Sequence, residues 1–318
     1  MDTPLPLSDG PDSSSGSDDP GLDDVEAWFR SRSRMEEIFG RVFRQAIDEV
    51  LDGQRTGRFD LYASNVAKTE RTYLGTKVEI ICQDEFGLDR GEVMDYRICG
   101  HEVDAKFSMT SRFSQAIPTE AVGRICLFMY AQDQKGEFSV GLMRPTDDVL
   151  NPGSNKDGKR TIKKEGRSKI RWLVENGRLP ENQLLRFPAS VVEQVFSRRL
   201  SGQGRVTELF RRVQGSLIRR ETLITVARQH DGPKRARDSR LRLADEGIVI
   251  LCSLYGHPQI ASELGLPVPG KSEWVSARLV ERPVGDDRPF TVLSGIEYVV
   301  AQNDEPACRV PAKYGSMP

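Results

Sequence analysis

Residues 95–109 read DYRICGHEVDAKFSM, two alternating runs on either side of a Gly-His pair, and few folds accommodate what they carry. Alternation marks strands, and so short an interruption predicts a hairpin. Asp104 and Lys106 stand two apart, so on a strand they share one face while Val103, Ala105 and Phe107 share the other. A turn at Gly100-His101, with Gly first as a type II′ turn prefers, pairs Asp95 with Lys106 and Arg97 with Asp104. A turn at Cys99-Gly100 pairs Asp95 with Asp104 instead. Either register sets Asp95 on the face of the Asp-x-Lys pair.

Clustered aspartates repel. Like charges ~4 Å apart cost about 4 kcal/mol at an effective dielectric of ~20. A hard divalent cation held through carboxylates and waters offsets that cost, and Mg2+ fits the description. A helix expected over residues 69–86, with apolar positions Tyr73, Val78, Ile81 and Cys82, adds Glu79. Three acids and Lys106 then sum to neutrality with one Mg2+. The chemistry expected of such a set is metal-assisted phosphodiester hydrolysis. Glu79, Asp95 and Asp104 hold the metal; Lys106 orients the attacking water or stabilises the transition state. The plain alternative is an exposed hairpin with scattered charges. Asp-x-Lys alone does not exclude that, but the longer Asp-x8-Asp-x-Lys behind a helical glutamate argues against it.

The net charge of −1, from 46 Lys+Arg and 47 Asp+Glu, conceals segregation. Residues 1–29 hold eight acids and no Lys or Arg, whereas residues 155–245 hold twenty-three basic side chains against ten acidic ones. The acidic lead, residues 1–24, has little to bury and is expected to be disordered. The basic block suits a phosphate backbone, although a charge run is also what a solvated face looks like.

Other classes fall away. Uncharged stretches such as Gly247–Pro258 are far shorter than the ~20 apolar residues of a membrane span. The acidic, Ser/Asp-rich first residues lack the basic-then-apolar pattern of a secretory signal, and none is expected. Five cysteines without a C-x-x-C pair suggest reduced thiols in a cytoplasm, and three scattered histidines argue against zinc.

Along the chain a helical pattern from Val25 to about Leu51 leads into a polar loop, DGQRTGRFD. RICLFMYA and EFSVGLM read as strands, and NPGSNKDG at Asn151–Gly158 as a linker. A basic helical region then runs to about Gln229, followed by a loop, DGPKRARDSR, and strands GIVILCSL, SEWVSARLV and IEYVVAQ. From Arg205 onward, apolar residues 206, 209, 210, 213 and 217 fall on one helical arc, with Arg211, Arg212 and Arg219 opposite. A break at Gly215 suits a helix-turn-helix with the later strands as a wing. Arg219, Arg220, Arg228, Lys234, Arg235 and Arg237 would then crowd one DNA-facing surface.

Residues 95–106 resemble the motif of the PD-(D/E)XK nucleases, with Met94 where the motif has proline. The blocks DGQRTGR, KTERTYLGTKVEI, DYRICGHEVDAKFSM, GQGRVTELFRRVQGSLI, EGIVIL and LGLPVP are similar, in order, to the NaeI family of type IIE restriction endonucleases. The resemblance implies an α/β restriction-endonuclease-like domain over residues 25–152, a linker over 153–165 and a winged-helix DNA-binding (effector) domain over 166–318. It implies a Mg2+-dependent homodimer that binds two copies of GCCGGC on double-stranded DNA, one activating cleavage of the other. A DNA methyltransferase is the expected companion. By motif, Glu79, Asp95, Asp104 and Lys106 are the catalytic set.

Val50-Leu51-Asp52-Gly53-Gln54-Arg55 also resembles the K-x-D-G-x-R motif of DNA ligases, with Val50 in place of the lysine that takes up AMP. Without a nucleophile there, adenylation is not expected. Arg55 and Arg58 are left as candidate phosphate contacts. Two further classes stay open: a DNA-binding regulator with an inactive nuclease fold, and an endonuclease that nicks or repairs mismatched or structured DNA. The complete acid set argues against the first, the basic region against the second.

Overall fold

The computed structural model describes residues 19–153 and 158–316. Its elements begin with α1 (Pro20–Arg30), α2 (Met35–Leu51), the single turn α3 (Gly53–Thr56) and α4 (Lys68–Phe86). Strands β1 (Asp89–Arg90), β2 (Tyr96–Ile98), β3 (His101–Ser108), β4 (Ile125–Gln132), β5 (Glu137–Met143) and β6 (Arg171–Arg178) follow. Next come α5 (Ala189–Val195), α6 (Gly202–Arg212), β7 (Ile218–Arg219), α7 (Arg220–Ala227) and α8 (Gly232–Leu243). The chain closes with β8 (Ile248–Cys252), α9 (His257–Glu263), β9 (Glu273–Glu281), β10 (Phe290–Leu293) and β11 (Ile296–Val300). Two units result: one of the chain up to Phe43 with Gly75–Leu179, the other of Arg44–Leu74 with the chain from Pro180.

The first unit is a mixed α/β layer around a six-stranded sheet in the order β1-β2-β3-β4-β5-β6. Only β3 and β4 pair in parallel. β4 and β5 are buried along almost their whole length, as uninterrupted apolar runs of central strands should be. Phe29, Phe39, Phe43 and Phe86 supply the helical side of the core, with Phe39 and Phe86 centroids 4.7 Å apart and Phe43 reaching Phe138 at 5.3 Å.

Three expectations change in this unit. The helix read from Val25 to Leu51 is two helices, broken at residues 31–34, where Arg34 takes a left-handed φ of 59°. Of the expected disordered lead, residues 1–18 lie outside the described residues, but Asp19 already caps α1, accepting from Leu22 N at 3.0 Å. Pro20 at the first turn and Leu22, Val25 and Phe29 on one face make that segment an ordinary amphipathic helix. Asp19 is also held by Arg144 at 2.8 Å, and Asp23 and Glu26 by Arg171. Of the expected 153–165 linker, residues 154–157 lie outside the described residues, and the compact unit runs on past it to Leu179. β6 lies in the region read as helical, yet pairs with β5.

In the second unit α6, α7 and α8 enclose Val206, Leu209, Phe210, Leu223, Val226, Ala236 and Leu243. β9 pairs antiparallel with both β7 and β8, and β11 and β10 extend the sheet. The break expected at Gly215 is present, with φ 69°. The loop expected at DGPKRARDSR is instead most of α8. Its buried face carries Ser239 and Arg240 beside Ala236 and Leu243, and Ser239 bonds Gln203 and Thr207 at 2.9 and 3.0 Å. A helix seated on a polar network shows no apolar periodicity to read.

The ligase-like segment is a packing joint of this unit. A Cβ on Gly53 would lie 2.5 Å from Thr225 Oγ1, and one on Gly57, whose φ is 75°, would lie 2.1 Å from Arg228 Nε. Only glycine permits that approach.

His257 is fully buried: its Nδ1 accepts from Cys252 N at 3.2 Å, and its Nε2 lies 3.3 Å from Tyr314 O. Burial and the Arg240 cation hold its pKa down, to about 4. It binds fewer protons folded than unfolded, so the stability it lends is full above about pH 6.5 and is lost as pH falls to 4. Urea unfolding from pH 7 to 4 should show an acid-side loss of roughly 3 kcal/mol in excess of that in a His257→Gln variant.

Candidate active site

Cys99 and Gly100 take left-handed φ values of 49° and 81°, so the hairpin turns there, in the type I′ manner, and not at Gly100-His101. The ladder runs Ile98↔His101, Arg97↔Glu102 and Tyr96↔Val103, which continues to set Asp95 opposite Asp104. This is the second of the two registers. Its twist matches that of paired strands.

Asp95 stands at the entry to β2, and its Oδ2 accepts from Ala105 N at 2.6 Å. Asp104 is 6% exposed and meets Lys106 Nζ at 2.7 Å, while Nζ also donates to Ala105 O at 3.1 Å. Below Asp104, its partner on β4, Cys126, brings Sγ to 3.8 Å. Glu79 comes from α4, whose buried face is Leu74, Val78, Ile81, Cys82 and Phe86; Tyr73, expected inside, is half exposed. The hydroxyl of Tyr96 donates to Glu79 O at 2.9 Å and ties that helix to β2.

The electrostatics record crowding. Burial, then the neighbouring Asp95 carboxylate, push Glu79 up to about 7. Burial also raises Asp104, against the opposing pull of Lys106. Among the described residues no three Asp, Glu, His or Cys side chains are arranged to hold a metal ion. Asp95, Asp104 and Lys106 meet on the hairpin and Glu79 lies beside Asp95, but Asp104 is turned onto its lysine.

Two contributors escaped the sequence reading. Tyr96 is a fully buried hydroxyl on β2. Glu102 lies on β3 and accepts from the backbone N–H of Glu92, Val93 and Met94 at 3.0, 3.0 and 2.8 Å, bonds that hold its carboxyl down to about 2. Strand alternation carried the signal for Glu102, since residues 102, 104 and 106 share a face.

The basic residues divide sharply. Arg58 is a structural arginine, not an open phosphate contact: it grips Glu70 at 2.8 and 2.9 Å and the carbonyls of Leu51 and Asn65 at 3.2 and 3.3 Å. Arg205 closes the end of α7 through Val226 O and Ala227 O at 2.7 and 2.9 Å and also holds Leu200 O at 2.9 Å. Arg211 is bidentate on Glu246, both bonds 2.7 Å, and Arg212 pairs with Glu208 at 2.7 Å. Arg235 meets Asp231 at 3.2 Å; Arg219 donates to Glu181 O at 3.2 Å; Arg55 pairs with Asp52 at 2.5 Å although largely exposed. Arg220, Arg228, Lys234 and Arg237 are exposed; among the described residues Asp238 approaches Arg237 at 4.0 Å, and the Arg228 guanidinium lies over Phe196, 6.0 Å from the ring centre. Arg240, unremarked in the sequence, is buried and donates to Ile250 O at 2.9 Å.

Comparison with known proteins places these features in context. The family described as Restriction endonuclease NaeI matches residues 25–309. The type II restriction enzyme NaeI of Lentzea aerocolonigenes is 42% identical over 279 residues, which cover 85% of this chain and 87% of that protein.

Because Asp95 is a cause of the raised Glu79 pKa, an Asp95→Asn variant should titrate Glu79 at lower pH than wild type. Carbon-13 NMR of the labelled glutamate carboxyls in metal-free protein measures this. An unchanged Glu79 titration would contradict the crowding described above.

Proposed function

The chain belongs to the NaeI family of type II restriction endonucleases, site-specific deoxyribonucleases, and from that premise we propose that Glu79, Asp95, Asp104 and Lys106 hydrolyse the phosphodiester. The observation that carries the reading is the meeting of Asp95, Asp104 and Lys106 on one hairpin face, with Glu79 brought up by α4.

Mg2+ is the cofactor of this reading. Three carboxylates offer it hard oxygen donors, and the crowding that raises Glu79 is surplus negative charge that a divalent cation relieves. Glu79, Asp95 and Asp104 would hold it, Asp104 giving up its Lys106 partner. When bound, it supplies Lewis-acid stabilisation of a phosphoryl oxygen and activation of water. The protein's own part is positional: Ala105 N fixes Asp95, and the freed Lys106 ammonium orients the attacking water or meets charge developing on the phosphate.

For the second unit the reading is a winged-helix DNA-binding domain. Its support is the order α6-β7-α7-α8-β8-β9 with β9 between β7 and β8, and the exposed Lys234 and Arg237 on α8. A second DNA copy as effector, GCCGGC as the site, a homodimer and a companion methyltransferase complete the proposal. No helix among the described residues is long and apolar enough to cross a membrane.

Incubation with plasmid and Mg2+ should give discrete fragments whose mapped ends share one sequence. Asp104→Ala and Lys106→Ala should each slow cleavage by about 10²-fold or more; variants that cut as fast as wild type would overturn the assignment. Four of the expected cations, Arg220, Arg228, Lys234 and Arg237, are exposed and, among the described residues, have no ion pair closer than 4.0 Å, so log K against log salt should fall with a slope of roughly −4, measured by fluorescence anisotropy without metal. Loss of Lys234 should reduce that slope by about one.

A further inference from the structure

The segment that delivers Asp95 to the site, residues 91–95, has no ladder of its own between β1 and β2. Three of its consecutive amides are held by one carboxylate. Glu102 Oε1 accepts from Glu92 N, and Oε2 accepts from both Val93 N and Met94 N, three consecutive amides turned toward one side chain. The segment closes on itself through Gly91 N to Asp95 O at 3.3 Å. Gly91 leaves no slack: a Cβ there would lie 2.3 Å from Met94 O and 2.9 Å from Glu102 Oε2. Met94 is buried as an anchor, whereas Val93 is 63% exposed.

The position of Glu102 makes this more than a loop clasp. It sits on β3, two residues before Asp104 and three before the amide that fixes Asp95. One short stretch of strand therefore supplies Asp104, the N–H bonded to Asp95, and the carboxylate that organises the segment carrying Asp95. Backbone amides fixed by a buried or shared acceptor resist the rotation that would let the following side chain drift. A shift well under 1 Å in a carboxylate changes how it can share a cation with its neighbours.

We propose that Glu102 is a positioning residue, setting the Asp95 carboxylate for divalent-cation binding through the 92–94 amides; this rests on the reading of Asp95 as a metal-holding residue. Glu102 does not touch the substrate or the ion. Its removal acts on the geometry of Asp95 and so on cation affinity, leaving DNA affinity in place.

The test uses the full chain and Mn2+ as the probe ion, with binding read directly by electron paramagnetic resonance of free Mn2+. Glu102→Gln keeps the shape but replaces one acceptor by an amide that faces the N–H groups. It should raise the Mn2+ dissociation constant about tenfold or more. Single-turnover cleavage at saturating enzyme should slow in step, while the DNA dissociation constant measured without metal stays within about twofold. Gly91→Ala disturbs the same segment with Glu102 intact and should reproduce the pattern. Arg97→Gln, which removes the exposed pair with Glu92, should bind Mn2+ as wild type does. Folded Glu102→Gln protein with wild-type Mn2+ affinity would overturn the proposal, even if its unfolding temperature fell. Asp95→Asn separates the two ideas: if it too retains wild-type Mn2+ binding and cleavage, the catalytic reading fails and this inference with it.

Discussion

Which acid stands opposite which depends on the left-handed pair Cys99-Gly100. Side chains on a strand alternate, so the residue at which a hairpin turns decides what lies opposite what. Turned here, Asp95 lies across from Asp104, and two carboxylates share a face with one lysine. A non-glycine residue in the left-handed region costs on the order of 1 kcal/mol, which the ladder beyond the turn offsets. β3 then becomes the frame of the site. Glu102 holds the approach segment, the buried Asp104 pairs with the half-buried Lys106, and Ala105 N donates to the Asp95 carboxylate.

The basic region illustrates a different constraint. Clustered arginines read as a phosphate-binding surface, yet Arg58, Arg205 and Arg211 spend their donors on carboxylates and on carbonyls that helix ends leave open. Five N–H groups in a planar fork suit both tasks equally, and sequence density does not distinguish them. Exposure does. Arg220, Arg228, Lys234 and Arg237 remain outward, and their surface is smaller than the charge count suggested.

The pattern of hits and misses in the elements follows from what folds around them. Runs such as RICLFMYA and GIVILCSL are legible because a buried strand is apolar throughout. α8 is illegible because its inward face bonds Gln203 and Thr207 through Ser239, so its periodicity is polar. β6 is hidden for a related reason: its pattern of burial is irregular, with register shifts where it meets β5. Asp19 to Asp24 looked like the end of a disordered lead because Arg144 and Arg171, which hold it, are more than a hundred residues away.

By itself the sequence determined which side chains could meet. Asp95, Asp104 and Lys106 were readable as one face because strand alternation puts residues two apart on the same side whatever the turn does. Only the tertiary structure decided the register, the capture of Asp104 by Lys106 and the clasp of Glu102 on residues 92–94. Those depend on backbone dihedrals and on hydrogen-bond partners chosen in three dimensions. A local pattern fixes which face a side chain takes, but not what awaits it there.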